Sequence, residues 1–342
     1  VLCAFFMIFP EGSSATITNI RGFLGDELGS YYLIIGLGMF LISMYMAFSK
    51  YGNIKLGNVE KPQYSYFQWG SMMFTAGLAA DILFYSLCEW MLYANESYIT
   101  QFGTMEEWAP TFTLFHWGPI PWAFYMVLAV AFGFMLHVRK CSKQKYSEAC
   151  RPLLGKYTDG WAGRLIDLIA VFALIAGTAT TFSVATPLLA STVCDLFGVN
   201  NSAAISIIIL AAICIIYTIC ALTGMKGVSW LAASCIYLLL GLVAFVLLFG
   251  GQTRFIVETG LTSIGNVIQN FIGLCTKTDP LRLTSFPQNW TIFYWAYWMV
   301  WCVATPFFIG SISKGRTIRS VVFYTVVIPS ILITSTQSGV NG

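Results

Sequence analysis

Two groups of aromatic residues lie inside apolar segments of this chain, FHWGPIPWAFY at 115–125 and NWTIFYWAYWMVW at 289–301. Tryptophan and tyrosine normally gather at the membrane–water interface. Dense groups within spanning segments therefore suggest a cage, because the face of an aromatic ring attracts a cation and a desolvated contact is worth about 2 kcal/mol or more. At about 100° per residue, Tyr294, Tyr297, Trp298 and Trp301 fall within an arc of about 100°, whereas Trp295 points elsewhere. In the first group Trp122 and Tyr125 are three residues apart. Trp117 precedes Pro119 and Pro121, which suit the start of a helix better than its interior. The plain alternative is a lipid-facing or helix-packing stripe, and composition alone does not separate the two.

Ionisable residues favour the cage. Asp81 and Glu89 sit within FTAGLAADILFYSLCEWMLY, and a charge near the bilayer centre costs about 2.5–3.5 kcal/mol on insertion scales, so it should face a cavity or a partner. Ala76, Gly77, Ala79 and Ala80 just before Asp81 permit close backbone approach or local unwinding. Asp81 is read as functional, and Glu89 as a helix-end carboxylate near the outer interface or a substrate contact. The ten cysteines are scattered mainly through apolar segments without a CxxC pair, and the two histidines lack metal-like spacing. No catalytic residue and no metal site is expected, and no Ser-His-Asp set or phosphate loop points to an enzyme.

These residues need a membrane-spanning framework, and composition supplies one. With 57% hydrophobic and 10% charged residues and a mean hydropathy of +0.74, too few polar side chains exist to clothe a water-soluble domain. Apolar runs at 31–48, 67–93, 122–137, 165–188, 203–222, 230–250, 293–312 and 321–333 each approach the ~20 residues a spanning helix needs. The chain reads as an all-α polytopic membrane protein in a lipid bilayer. VLCAFFMIF at 1–9 resembles the end of another helix, and a start at Val1 without Met together with a stop at Gly342 leads us to expect a fragment.

If the loop at 50–63 is cytoplasmic, 14 of the 18 Lys and Arg lie inside and only Arg21, Arg254, Lys277 and Arg282 outside, the asymmetry of the positive-inside rule. Flanked by spans, the basic loops are topological signals, and no nucleic-acid partner is expected. Between 251 and 287, apolar residues recur at helical spacing among polar ones from Phe255 to Ile272. That pattern suits an interfacial helix, or equally a loop helix packed on the protein.

The sequence resembles the betaine/carnitine/choline transporter family. SMMFTAGLAADILFYSLCEW, LFHWGPIPWAFYMVLAVAFGF, ATPLL at 185–189, FPQNWTIFYWAYW and ISKGRTIR at 312–319 stand in the family's order and spacing, with closest overall resemblance to the carnitine/betaine exchanger branch. The resemblance implies a LeuT-like inverted-repeat transporter fold with substrate held midway across the membrane. On that scheme the chain is C-terminally truncated. Residues 1–63 hold the end of the first helix, the second helix and a cytoplasmic loop, and 64–250 the first repeat, helices three to seven. Residues 251–288 hold the interfacial helix and loop, and 289–342 the start of the second repeat. A homotrimer in a bacterial-type inner membrane is a further implication.

Carried over residue by residue, Trp117, Trp122 and Tyr125 match the fourth-helix part of the family's aromatic box and Trp298 its eighth-helix tryptophan. Tyr297 and Trp301 are added from the helical arc. The usual Trp-Ala-Trp-Trp reads Trp295-Ala296-Tyr297-Trp298 here, so one ring is a phenol. Cys235 stands where sodium-independent exchangers carry an arginine. Asp81 stands where sodium-coupled betaine members carry the last glycine of the third helix, as in proton-driven choline members. Thr178, Thr180 and Thr181 could offer oxygen ligands to sodium, although threonines inside helices more often bond their own backbone.

No cofactor is expected beyond Na+ or H+ as a coupling ion. The expected function is secondary transport of a small quaternary ammonium compound of the choline, glycine betaine or carnitine class by alternating access, with proton coupling through Asp81. The alternatives are a sodium-coupled betaine carrier, a carnitine exchanger, or a membrane osmotic or ligand sensor that binds without transporting.

Overall fold

A computed structural model describes residues 6, 8–141 and 143–340. The side chains of residues 78–84, 86, 87, 184 and 331–340 fall outside the described set. The apolar stub at 1–9 lies largely outside it too.

Among the described residues there are twelve principal helices. They are α1 (Pro10–Gly22), α2 (Gly29–Phe48), α3 (Tyr66–Ala94), α4 (Met105–Trp117), α5 (Pro119–Gly133), α6 (Trp161–Phe197), α7 (Ala203–Leu222), α8 (Met225–Phe249), α9 (Thr253–Thr276), α10 (Phe293–Val300), α11 (Ala304–Ile312) and α12 (Ile318–Val340). Among the described residues, five stretches are long and apolar enough to cross a bilayer: α2, the α4–α5 run over Met105–Val138, α6, α7 and α8. α3, with 29 residues, also exceeds that length. Its start is set by a capping box, in which the Ser65 hydroxyl accepts from the Gln68 amide and the Gln68 side chain accepts from the Ser65 amide.

Two spans depart from their sequence outlines. Residues 293–312, expected as one helix, form a bent pair whose halves differ by 55°, interrupted after Val300 and resumed at Ala304. Pro306 explains the break, because its ring cannot donate to the carbonyl four residues back and clashes with it. The run at 122–137 belongs to a longer unit, with α4 ending at Trp117 and Pro119 opening α5 after Gly118.

The packing joins loops that the charge pattern assigns to the same side. The loop after α2 and the turn after α11, both assigned to the inside, are joined by backbone bonds. Leu56 N donates to Arg316 O (2.8 Å), Gly315 N to Leu56 O (2.7 Å) and Ile318 N to Ile54 O (3.0 Å). Gly315 turns at φ +87°, with Pro62 beside it where a Cβ would fall, which makes glycine the residue that fits. The buried Arg316 guanidinium stacks 3.9 Å from the Tyr66 ring and 4.7 Å from that of Trp69 while donating to Tyr64 O. At the other end Arg282, assigned to the outside, pairs with Asp26 beside α1.

The amphipathic segment is helix α9, which packs on α2, α4 and α12. It buries Ile256, Val267 and Leu274 and leaves Leu261, Ile268 and Ile272 exposed. One face is thus seated on the protein, while an apolar stripe on the rest of the helix is left exposed.

Candidate functional site

The two aromatic clusters meet. Trp117 ends α4, Trp122 and Tyr125 lie in the first two turns of α5, and Trp298 lies in α10. The Trp298 ring centroid is 5.5 Å from each of Trp117, Trp122 and Tyr125, at interplanar angles of 67°, 63° and 49°. Trp122 and Tyr125 stand edge to face at 6.0 Å. All four rings are 2% exposed or less. Their faces are withdrawn from water, the condition under which a ring quadrupole acts on a cation with least screening.

The local sequence explains the convergence. Gly118 and Pro119 end one helix and begin the next, so Trp117 and Trp122 turn toward the same partner from two helices rather than along one stripe. α3 approaches this layer closely at Gly77, where a Cβ would lie 3.1 Å from Trp122 Cη2 and 3.3 Å from Tyr125 Cε2. Phe74 stacks on Trp122 at 6.1 Å. Two indole nitrogens, Trp122 Nε1 and Trp298 Nε1, are buried without a partner among the described residues, and each can donate to a polar group on a bound molecule.

Other expected site residues are placed elsewhere or lie beyond description. Trp301 is not brought to the ring cluster. The helix ends at Val300, and the indole lies against Gly177 of α6, with Cε2 3.1 Å from where a glycine Cβ would be. Its inclusion assumed an unbroken helix. Tyr297 is half-buried and stacks on Phe293 at 6.1 Å. Trp295, projected off the arc, packs on Phe115 and Phe124 instead. Thr178 and Thr180 donate to Leu174 O and Ala176 O one turn back on α6, the backbone bonding weighed against an ion-ligand role. Thr181 lies on the same helix. The Asp81 side chain lies outside the described residues.

Sequence reasoning undervalued Glu89 and missed Tyr85. Glu89 is fully buried within the protein, accepting from Tyr93 Oη at 2.7 Å and from Trp117 Nε1 at 2.8 Å. Tyr85 sits between Trp117 (5.4 Å) and Tyr294 (5.8 Å). A signal existed: Gly77, Tyr85 and Glu89 are separated by multiples of four residues, which spreads them over no more than about 120° of α3.

Fold and site together define a polytopic membrane protein that holds a buried cluster of aromatic rings between its helices. The chain belongs to the BCCT, or betaine/carnitine/choline, family of transporters, whose family model matches residues 1–341. It is 31% identical over 328 residues to a probable glycine betaine transporter of Desulfitobacterium hafniense (strain Y51), covering 94% of this chain and 65% of that protein. It is 31% identical over 335 residues to the glycine betaine transporter OpuD of Bacillus subtilis (strain 168), covering 95% and 65%. Against the high-affinity choline transport protein of Escherichia coli (strain K12) the identity is again 31% over 328 residues, covering 94% and 48%. The chain thus spans between about half and two thirds of the length of these relatives.

Proposed function

We propose that this protein is a secondary transporter for a small quaternary ammonium compound of the choline, glycine betaine or carnitine class, working by alternating access in a bacterial-type inner membrane. The observation that carries this reading is the convergence of Trp117, Trp122 and Tyr125 on Trp298 in a layer sealed from water. A trimethylammonium group is a large, weakly hydrated cation with no proton to donate, so ring faces are the partners that suit it. The names carried by the relatives support the same substrate class.

Substrate charge and coupling rest on Asp81 in this proposal. A choline-like substrate carries a net positive charge and gains from a nearby carboxylate, whereas betaine or carnitine brings a carboxylate of its own that an ionised Asp81 repels. We assign coupling to a proton taken up at Asp81, with sodium held by hydroxyls among Thr178, Thr180 and Thr181 as the competing arrangement. The test is uptake of choline, glycine betaine and carnitine by the full-length protein in proteoliposomes, with sodium and pH gradients imposed separately, alongside Asp81→Gly. Choline should be preferred and its accumulation should follow the pH gradient. Uptake driven by sodium alone and unchanged in Asp81→Gly removes the Asp81 assignment. Failure to bind or accumulate any of the three compounds overturns the transport reading itself.

A further inference from the structure

Behind the cage runs a chain of buried hydrogen bonds that crosses three helical segments. Trp117 Nε1 donates to Glu89 Oε2, and Tyr93 Oη donates to Glu89 Oε1. His116 Nδ1 meets the same tyrosine oxygen, and His116 Nε2 lies 2.9 Å from Thr291 Oγ1. Glu89 and Tyr93 belong to α3, His116 and Trp117 to α4, and Thr291 to the π-helical turn Pro287–Ile292 that opens α10. Glu89, Tyr93 and His116 are wholly buried and Thr291 is 4% exposed.

The direction of these bonds follows from donor arithmetic. An indole N–H can only donate, and Tyr93 has a single hydroxyl hydrogen, which is engaged by Glu89. With Glu89 ionised and accepting on both oxygens, His116 Nδ1 carries the hydrogen directed at Tyr93 Oη, which leaves Nε2 as the acceptor of the Thr291 hydroxyl. Every donor in the series points toward the Glu89 carboxylate, which accepts on both oxygens. A satisfied series of this kind is rigid, because breaking any one bond leaves a buried polar atom unpaired.

We propose that Glu89, Tyr93, His116 and Thr291 are positioning residues for the cage, fixing the Trp117 ring and tying it to the helix that carries Trp298. Trp117 is held at its polar edge by Glu89 while its ring meets Trp298, and Thr291 precedes Trp298 by seven residues, about two helical turns. The spacing between the rings contributed by α4 and α10 is thereby set from both sides of one hydrogen-bonded series. Glu89 also sets a carboxylate at the edge of a ring whose face meets the cation, which favours a charged ligand over an uncharged one of the same shape. This inference rests on the reading of the cage as a quaternary ammonium site, and the experiment separates the two.

The full-length protein is compared with Thr291→Val, Thr291→Ser and Glu89→Gln, using choline and its uncharged isostere 3,3-dimethylbutan-1-ol as probes in calorimetry. Thr291→Val keeps the shape and removes the hydroxyl, and it should weaken choline binding by about tenfold, the effect of one buried acceptor left unpaired. Thr291→Ser restores the hydroxyl and should bind within about twofold of the parent on the same reasoning. Glu89→Gln keeps the volume and should narrow the preference for choline over the isostere, a ratio that a merely structural role does not move. Equal losses in Thr291→Val and Thr291→Ser, or a preference ratio unchanged in Glu89→Gln, overturn the positioning role. A parent protein that binds none of choline, glycine betaine and carnitine overturns the substrate reading instead.

Discussion

Trp298 offers the most direct test of the cage. Its ring lies 5.5 Å from three others and is 2% exposed, so removing it strips the site of the one ring that all the others face. A desolvated cation–π contact is worth about 2 kcal/mol, which corresponds to a loss of about 30-fold in Kd for Trp298→Ala. Trp298→Phe keeps a ring face with a weaker quadrupole and should lose less than about tenfold.

Truncating a buried tryptophan also costs about 3–5 kcal/mol of stability, so packing must be separated from recognition. Trp295 provides the control. It is equally buried, three residues away on the same helix, and its ring meets Phe115 and Phe124 rather than the cage. Trp295→Ala should lower the unfolding temperature as much as Trp298→Ala while losing clearly less affinity, because its ring reaches the cage only through an edge contact with His116. The assay is calorimetric titration of choline into the full-length protein in detergent, paired with thermal unfolding without ligand. Equal affinity losses in Trp298→Ala and Trp298→Phe, or an equal loss in Trp295→Ala, would refute the cation–π argument.

Two further outcomes follow from close contacts outside the rings themselves. Gly77→Ala places a methyl 3.1 Å from Trp122 and 3.3 Å from Tyr125 and should weaken choline binding, with Gly77→Val weakening it further; unchanged affinity in Gly77→Val would show that α3 does not bound the cage. In the loop between α5 and α6, two hydrogen bonds from Arg151 hold the Asp159 carboxyl down at about 2. A lowered pKa means that this pairing is fully present above the ordinary carboxylate value of about 3.9 and is lost as pH falls toward 2. Carboxyl titration by NMR should find Asp159 back near about 3.9 in Arg151→Ala, and a value still near 2 would remove Arg151 as the cause.

Much of this architecture was legible in the sequence, for physical reasons that differ from residue to residue. The spans follow from apolar length, because lipid leaves the backbone no partner but its own helix. The loop pairing at Leu56 and Arg316 agrees with a sidedness read only from lysines and arginines. Trp298 and Trp295 separate as the helical arc requires, since both lie before the break. Trp301 does not follow, because a wheel assumes one continuous helix and Pro306 acts on the turn before it. Spacing places residues on a face; it does not report that the face has ended.

Glu89 shows the other limit. Position within its segment put it near a helix end, where a carboxylate ordinarily meets water. Its actual partners include Tyr93 one turn away and Trp117, which is 28 residues distant in sequence. The series continues through His116 to Thr291, a further 175 residues along the chain. A buried carboxylate that accepted only one donor would be costly, since its second oxygen would have lost water without replacement. What makes Glu89 tolerable is therefore the meeting of α3 with α4, and what aligns His116 is the arrival of α10. The same meeting brings Trp298 to Trp117, so the polar series and the aromatic cage are consequences of a single packing event. Neither can be read from one segment alone, and a substitution that loosens the series should be felt at the rings.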